Sequence, residues 1–130
     1  MLEIYCDGGA RGNPGPAAYG FVVKNNSQSI REQGEYIGIA TNNVAEYTSV
    51  IAALKWLAKS YVGQDLNFFL DSQLVASQLS GLYKIRNATI RNLVFEIKTL
   101  EAEFAQITYT HIPREKNKES DRLVNQALDR

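Results

Sequence analysis

The sequence is poor in the residues that build disulfide frameworks and most transition-metal centres. Its 130 residues contain one cysteine, one histidine, one methionine and one tryptophan. A lone thiol, Cys6, excludes an internal disulfide, and the scarcity of thiolate and imidazole disfavours a zinc centre. No apolar run approaches the roughly 20 residues that a membrane-spanning helix needs, so a membrane partner is not expected. Met1-Leu2-Glu3 leads straight into an alternating pattern that contains an acid, which does not read as a signal peptide. With the single cysteine, this points to a cytoplasmic protein. A net charge is also missing, since 14 Lys and Arg balance 14 Asp and Glu. That balance does not exclude a polyanionic partner, because acids gathered around cations mask a basic surface elsewhere. Basic residues gather at Arg11, at Lys84 and Arg86, and at Arg114, Lys116 and Lys118. There are no internal repeats or low-complexity tracts. The length suits a single domain, residues 1–130, acting as a monomer and large enough to bury a core without staples.

What is present is a sequence of clear periodicities. Residues 2–6 alternate in the manner of a strand and are followed by Asp7-Gly8-Gly9-Ala10-Arg11-Gly12-Asn13-Pro14-Gly15-Pro16, whose glycine and proline content predicts a loop. Residues 19–24 and 29–37 read as two more strands joined by an Asn25-Asn26-Ser27 turn, completing an antiparallel meander. From Asn42 the period becomes helical, with Tyr47, Val50, Ile51, Leu54 and Leu57 on one face, which predicts a helix over about 43–60. A short apolar strand over 66–70, a helix over 72–79 stopped by Gly81, a longer helix from Ile90 to about Phe104, a strand over 107–112 and a final helix over 118–128 complete the order. This is an α/β pattern in which the first and fourth strands lie side by side and parallel, joined through the first helix.

Within that order, Asp7, Glu46, Asp71 and Asp121 each fall where an apolar strand ends or on the inward face of a helix's first turns. An unpaired carboxylate against a core costs several kcal/mol, comparable to a fold's net stability, so four of them call for a compensating positive charge. An oxygen-only donor set suits hard divalent ions, magnesium or manganese. Two such ions about 3.5–4 Å apart can bind a phosphate, activate water and stabilise the leaving oxygen, a phosphodiester hydrolysis that needs no protein nucleophile. One Asp after a strand is more often a turn residue than a ligand. Four such acids make separate explanations improbable.

Four segments carry a resemblance to a known family: Ile4-Tyr5-Cys6-Asp7-Gly8-Gly9-Ala10-Arg11-Gly12-Asn13-Pro14-Gly15-Pro16, Thr41-Asn42-Asn43-Val44-Ala45-Glu46-Tyr47, Leu70-Asp71-Ser72-Gln73-Leu74-Val75, and His111 through Leu123. Together the chain resembles type 1 ribonuclease H, in the compact branch of archaea and many bacteria that is related to the ribonuclease H domain of reverse transcriptases. The resemblance implies a ribonuclease H-like fold, a five-stranded mixed sheet of three antiparallel strands plus parallel strands, flanked by helices. It also implies endonucleolytic hydrolysis of the RNA strand of RNA/DNA hybrids with two Mg2+ ions, for which Mn2+ substitutes. Asp7, Glu46, Asp71 and Asp121 match the family's metal-binding acids. Gly8, Asn13, Asn42, Asn43 and Gln73 would line the path of the minor groove or backbone, and Thr41 would sit near a DNA phosphate. Short amides suit that task, because they can pair with 2′-hydroxyls and base edges. Double-stranded RNA is a second possible substrate, and a binding module without turnover is the alternative class, against which all four acids speak.

Two departures from the family pattern stand out. Many relatives carry a histidine in a loop before the last acid. Here His111-Ile112-Pro113 reads as the end of the fifth strand, so the loop is shortened and its histidine lost, and Arg114, Glu115 or Lys116 is left to take over part of its role. The tryptophan- and lysine-rich protrusion of some members is also missing. Tyr83, Lys84, Arg86 and Asn87 are the residues positioned to replace its contacts with the DNA strand, with Tyr83 and Ile85 equally explicable as packing between helices. Trp56 lies far from the acids and reads as core or rim packing.

Overall fold

The strand that opens the chain continues past the point where its composition turns to glycine. In the computed structural model, which describes residues 1–81 and 84–130, β1 runs Leu2–Ala10. Asp7, Gly8 and Gly9 therefore lie within a strand, not in the loop expected over 7–16. The cause is the partner strand β2, Gly15–Asn25, which pairs antiparallel with β1 along its length, Asp7 opposite Gly20 and Ala10 opposite Ala17. The hydrogen-bonding demand of two facing backbones outweighs the weak strand preference of glycine. Only residues 11–14 remain as the connection.

β2 returns as β3, Gln28–Ala40, through Asn26 and Ser27, both at positive φ (52° and 70°), the two-residue turn whose twist suits a hairpin. Helix α1, Asn42–Leu57, begins where the Thr41 hydroxyl accepts the Val44 N–H at 3.2 Å. It delivers the chain to β4, Leu66–Leu70, which lies parallel to β1 with Cys6 in register with Leu70. Helix α2, Gln73–Leu79, is capped by Ser72 and halted at Gly81, whose φ of 81° is the left-handed conformation that commonly ends helices. Helix α3, Ala88–Glu101, is capped by Asn87. β5, Ile107–His111, pairs parallel with β4, and a single 3-10 turn, Arg114–Lys116, leads into α4, Lys118–Leu128. The sheet order is β3-β2-β1-β4-β5, the mixed five-stranded sheet expected from the sequence.

The two faces of the sheet are covered differently. On one, Leu2, Ile4, Cys6, Phe21 and Val23 meet Tyr47, Val50, Ile51, Leu54 and Leu57 of α1 in a continuous core. Full burial of each large side chain there contributes about 1.5–3 kcal/mol. Trp56 packs partly buried against this core beside Tyr61, at its rim, one of the two placements, core or rim, expected of it. On the other face α4 rests on a thin layer of small residues, with Ala18, Val124 and Ala127 buried together. A side chain on Gly20 would approach the Ser120 carbonyl oxygen to 2.6 Å, and one on Gly34 the Leu123 carbonyl oxygen to 2.7 Å. The two glycines thus let α4 lie directly on β2 and β3.

Candidate active site

Successive residues of a strand face opposite sides of the sheet. Gly8 of β1 therefore faces α1, and Asp7 faces α4 from a position opposite Gly20. Because β4 ends at Leu70, in register with Cys6, Asp71 is the first residue beyond the strand and stands one step along from the last rung, beside Asp7. Glu46 reaches the same end of the sheet because α1 is pressed onto β1 there: a Cβ at Gly8 would lie 2.2 Å from the Ala45 carbonyl carbon and 2.4 Å from the Glu46 nitrogen. Asp121 arrives in the first turn of α4, seated on Gly20 and Gly34.

The electrostatics register this convergence. Burial pushes the Asp7 carboxyl up to about 8, and the charges of Asp71, Asp121 and Glu46 push in the same direction, partly offset by the Gly8 N–H donated to Asp7 Oδ1 at 2.9 Å. Burial and Asp71 raise Glu46 to about 7, while Ser72 and Arg114 draw it back. Among the described residues no three such side chains are close enough to grip one ion as they stand. Their backbones nonetheless bring them to one end of the sheet, and uncompensated carboxylates repel until a cation offsets their charge. An all-oxygen donor set with an acid buried at such a cost fits a hard divalent cation.

A pH dependence follows. Asp7 and Glu46 hold protons more tightly in the folded chain than in the unfolded one, so their ionisation opposes folding. The metal-free protein should lose stability as pH rises from below the ordinary carboxylate values of 3.8 and 4.5, where both states hold the protons, to about 8, above which the full penalty applies. Melting in EDTA at pH 5 and pH 8.5 checks this, and Mg2+ should restore most at the higher pH. A profile that is flat or rises with pH would count against a coupled cluster.

Beside Glu46 lies an open groove of about 860 Å3 lined by Asn13, Thr41, Asn42, Asn43, Arg86 and Asn87 among others. It gathers six of the residues expected to bind substrate. The Asn42 Oδ1 accepts the Ala10 N–H at 2.7 Å and the Asn13 Oδ1 accepts the Asn42 N–H at 3.0 Å. Each side-chain oxygen is engaged, which leaves the amide NH2 groups of these groove-lining residues as the donors outside these bonds. Asn87 spends its oxygen capping α3 on Ile90 N–H at 3.0 Å. Gly8 is buried beneath α1 and donates its N–H to Asp7 Oδ1. Gln73 and Lys84 are exposed and do not line the groove. Ile85 packs partly buried against the core, and Tyr83 lies outside the described residues. His111 is exposed at the end of β5, in register with Leu70. Of Arg114, Glu115 and Lys116, it is Arg114 whose charge reaches Glu46.

Sequence reasoning passed over Gly20 and Gly34, which seat α4, and Asn117, which is buried between α4 and the strands. An amide at the start of a helix four residues before Asp121 was the available signal for the last of these.

A model of the reverse transcriptase-like family matches residues 5–127. A ribonuclease HI of Halobacterium salinarum is 42% identical over 129 residues, covering 98% of this chain and 64% of that protein. A bifunctional protein of Mycobacterium tuberculosis is 41% identical over 130 residues, covering 98% of this chain and 35% of its own length. The chain thus spans about a third of that mycobacterial relative. Among solved structures, the LC11 ribonuclease H1 in complex with an RNA/DNA hybrid superposes with a TM-score of 0.95 at 40% identity, over 99% of this chain and 97% of that one.

Proposed function

Because the chain belongs to the type 1 ribonuclease H family, we propose that it is an endoribonuclease hydrolysing the RNA strand of RNA/DNA hybrids. The observation that carries this reading is the convergence of Asp7, Glu46, Asp71 and Asp121 on one end of the sheet, with Glu46 also lining the groove that holds Asn13, Asn42 and Asn43. Asp7, Glu46, Asp71 and Asp121 would hold the divalent cations, two Mg2+ with Mn2+ as substitute. Bound there, such ions supply Lewis-acid polarisation of the phosphate and a water activated at neutral pH.

The remaining work belongs to the chain's own groups. Asn13 and Asn42 present NH2 donors, which pair with the 2′-hydroxyl and with acceptor edges of bases in a wide, shallow minor groove. Arg86 adds positive charge on the α3 side of the groove, where the backbone of the second strand would run. Thr41 keeps its hydroxyl oxygen on the first turn of α1, which fixes the helix end that carries Glu46. A cytoplasmic location belongs to the same proposal, supported by the single cysteine, Cys6, which is free and buried.

A labelled RNA/DNA hybrid, a matched RNA duplex and a matched DNA duplex, each titrated with Mg2+, test this. Internal cuts confined to RNA and abolished by EDTA are expected, and absence of metal-dependent cleavage on every substrate would overturn the reading. The RNA duplex decides whether the preference is for hybrid or for any A-form helix. For the missing loop histidine, His111→Ala should keep turnover within about threefold, whereas Arg114→Ala should lose about tenfold or more. A hundredfold drop in His111→Ala would make that histidine the working group.

A further inference from the structure

Asn117 stands at the N-cap position of α4, where an asparagine ordinarily accepts a backbone N–H from the first turn. It makes no such bond, and its side chain is buried, with the residue 1% exposed. Its Oδ1 instead accepts the Ser120 hydroxyl at 2.6 Å. Its Nδ2 donates to the Cys6 carbonyl at 2.8 Å and to Asp71 Oδ2 at 3.1 Å. The flipped amide would set an oxygen against a carbonyl and a carboxylate, so the network fixes the orientation. The Asn117 carbonyl accepts the Asp121 N–H at 3.2 Å. One residue is thus bonded to the neighbour preceding Asp7, to Asp71 itself and to the backbone of Asp121. It does so where β1 and β4 part, since Cys6 and Leu70 are their last aligned pair.

From this geometry we infer that Asn117 is a positioning residue, whose amide holds Asp71 and the start of α4 against β1 so that Asp7, Asp71 and Asp121 can share divalent cations. The inference rests on the nuclease reading above. A neutral amide is suited to the task. It donates to a carboxylate without bringing a positive charge that would compete with the cation, and a hydrogen-bonded ligand is held in one orientation before the ion arrives. The helix forgoes its ordinary cap in exchange.

Three variants test the assignment, with Mg2+ binding followed by calorimetry and cleavage of the hybrid followed in parallel. Asn117→Ala should weaken Mg2+ binding about tenfold or more. It should lower kcat at limiting Mg2+ while leaving KM for the hybrid within about twofold. Asn117→Ser supplies a good N-cap residue, so α4 keeps its stability, but its short hydroxyl cannot span from the helix to Asp71 and Mg2+ binding should stay weak. Ile97→Ala, a buried position of α3, which carries none of the four acids, should lower the melting temperature and leave the Mg2+ midpoint unchanged. Wild-type Mg2+ affinity in Asn117→Ser, or in Asn117→Ala with a melting loss like that of Ile97→Ala, would overturn the inference and leave Asn117 a structural residue. Binding is judged apart from cleavage. A wild-type chain that binds Mg2+ without cutting the hybrid would sink the nuclease reading alone, and one that binds no Mg2+ would sink both.

Discussion

Asp7→Asn is expected to have two opposed effects: metal-dependent cleavage falls by at least about a thousandfold, and the metal-free protein becomes more stable. On the proposed reading the variant loses a charged oxygen from the set that would hold the cations, whose stabilisation of transition-state charge is worth several kcal/mol, each 1.36 kcal/mol being about tenfold in rate. The gain in stability has a separate cause. Burial first, then the charges of Asp71, Asp121 and Glu46, raise the Asp7 carboxyl to about 8. Its ionisation is therefore worked against in the folded state and unopposed in the unfolded one. Asparagine keeps an oxygen for the Gly8 N–H and turns an NH2 toward the neighbouring carboxylates. Allowing for relaxation of the cluster, the relief is on the order of 2 kcal/mol, about 5–10 °C in melting temperature. The difference between variant and wild type in EDTA should be largest above about pH 8 and vanish only below the ordinary carboxylate value of 3.8, where Asp7 is protonated in both states. A variant that melts lower than wild type and still cuts would make Asp7 a structural residue.

The placement of the acids at one end of the sheet was legible because their signals are local. Asp71 follows a five-residue apolar strand, Asp121 sits in a helix's first turn, and Thr41-Asn42 announces the helix that carries Glu46. The parallel pairing of β1 and β4 was legible for a different reason, since a strand–helix–strand order has few ways to close. What escaped depends on contacts distant in sequence. Asp7-Gly8-Gly9 reads as a turn by propensity, and only the facing backbone of β2 makes it a strand. Asn42 appears as one more short amide. Its carbonyl oxygen is committed to Ala10 and its N–H to Asn13, which a linear reading has no means of pairing. Gln73 and Lys84 are exposed beyond the lining of this groove, a placement that chemical type alone does not give. Asn117 escaped for the same reason: its type announces a cap, and its contacts with Cys6 and Asp71 are tertiary.

The largest expected effect on folding is at Gly8. A methyl group there would meet the Ala45 carbonyl carbon at 2.2 Å, the Ala45 oxygen at 2.4 Å and the Glu46 nitrogen at 2.4 Å, all backbone atoms of α1. No side-chain rotation relieves such a clash. The helix must move, and it is held by Tyr47, Val50, Ile51, Leu54 and Leu57 in the core. Gly8→Ala should therefore cost about 3 kcal/mol or more in denaturant unfolding, although alanine in a strand is otherwise the better residue. Where the variant folds, α1 is displaced at the end that carries Glu46, and Mg2+ binding should weaken with it. Gly9→Ala is the control: its Cβ would find only Val124 Cγ1, at an ordinary 3.7 Å, and stability should change by less than about 1 kcal/mol. If the two variants unfold alike, the close seating of α1 on β1 is not what sets Glu46 beside Asp7. If only Gly8→Ala fails, the glycine after Asp7 is required by the helix that crosses it, and the acid site depends on that contact.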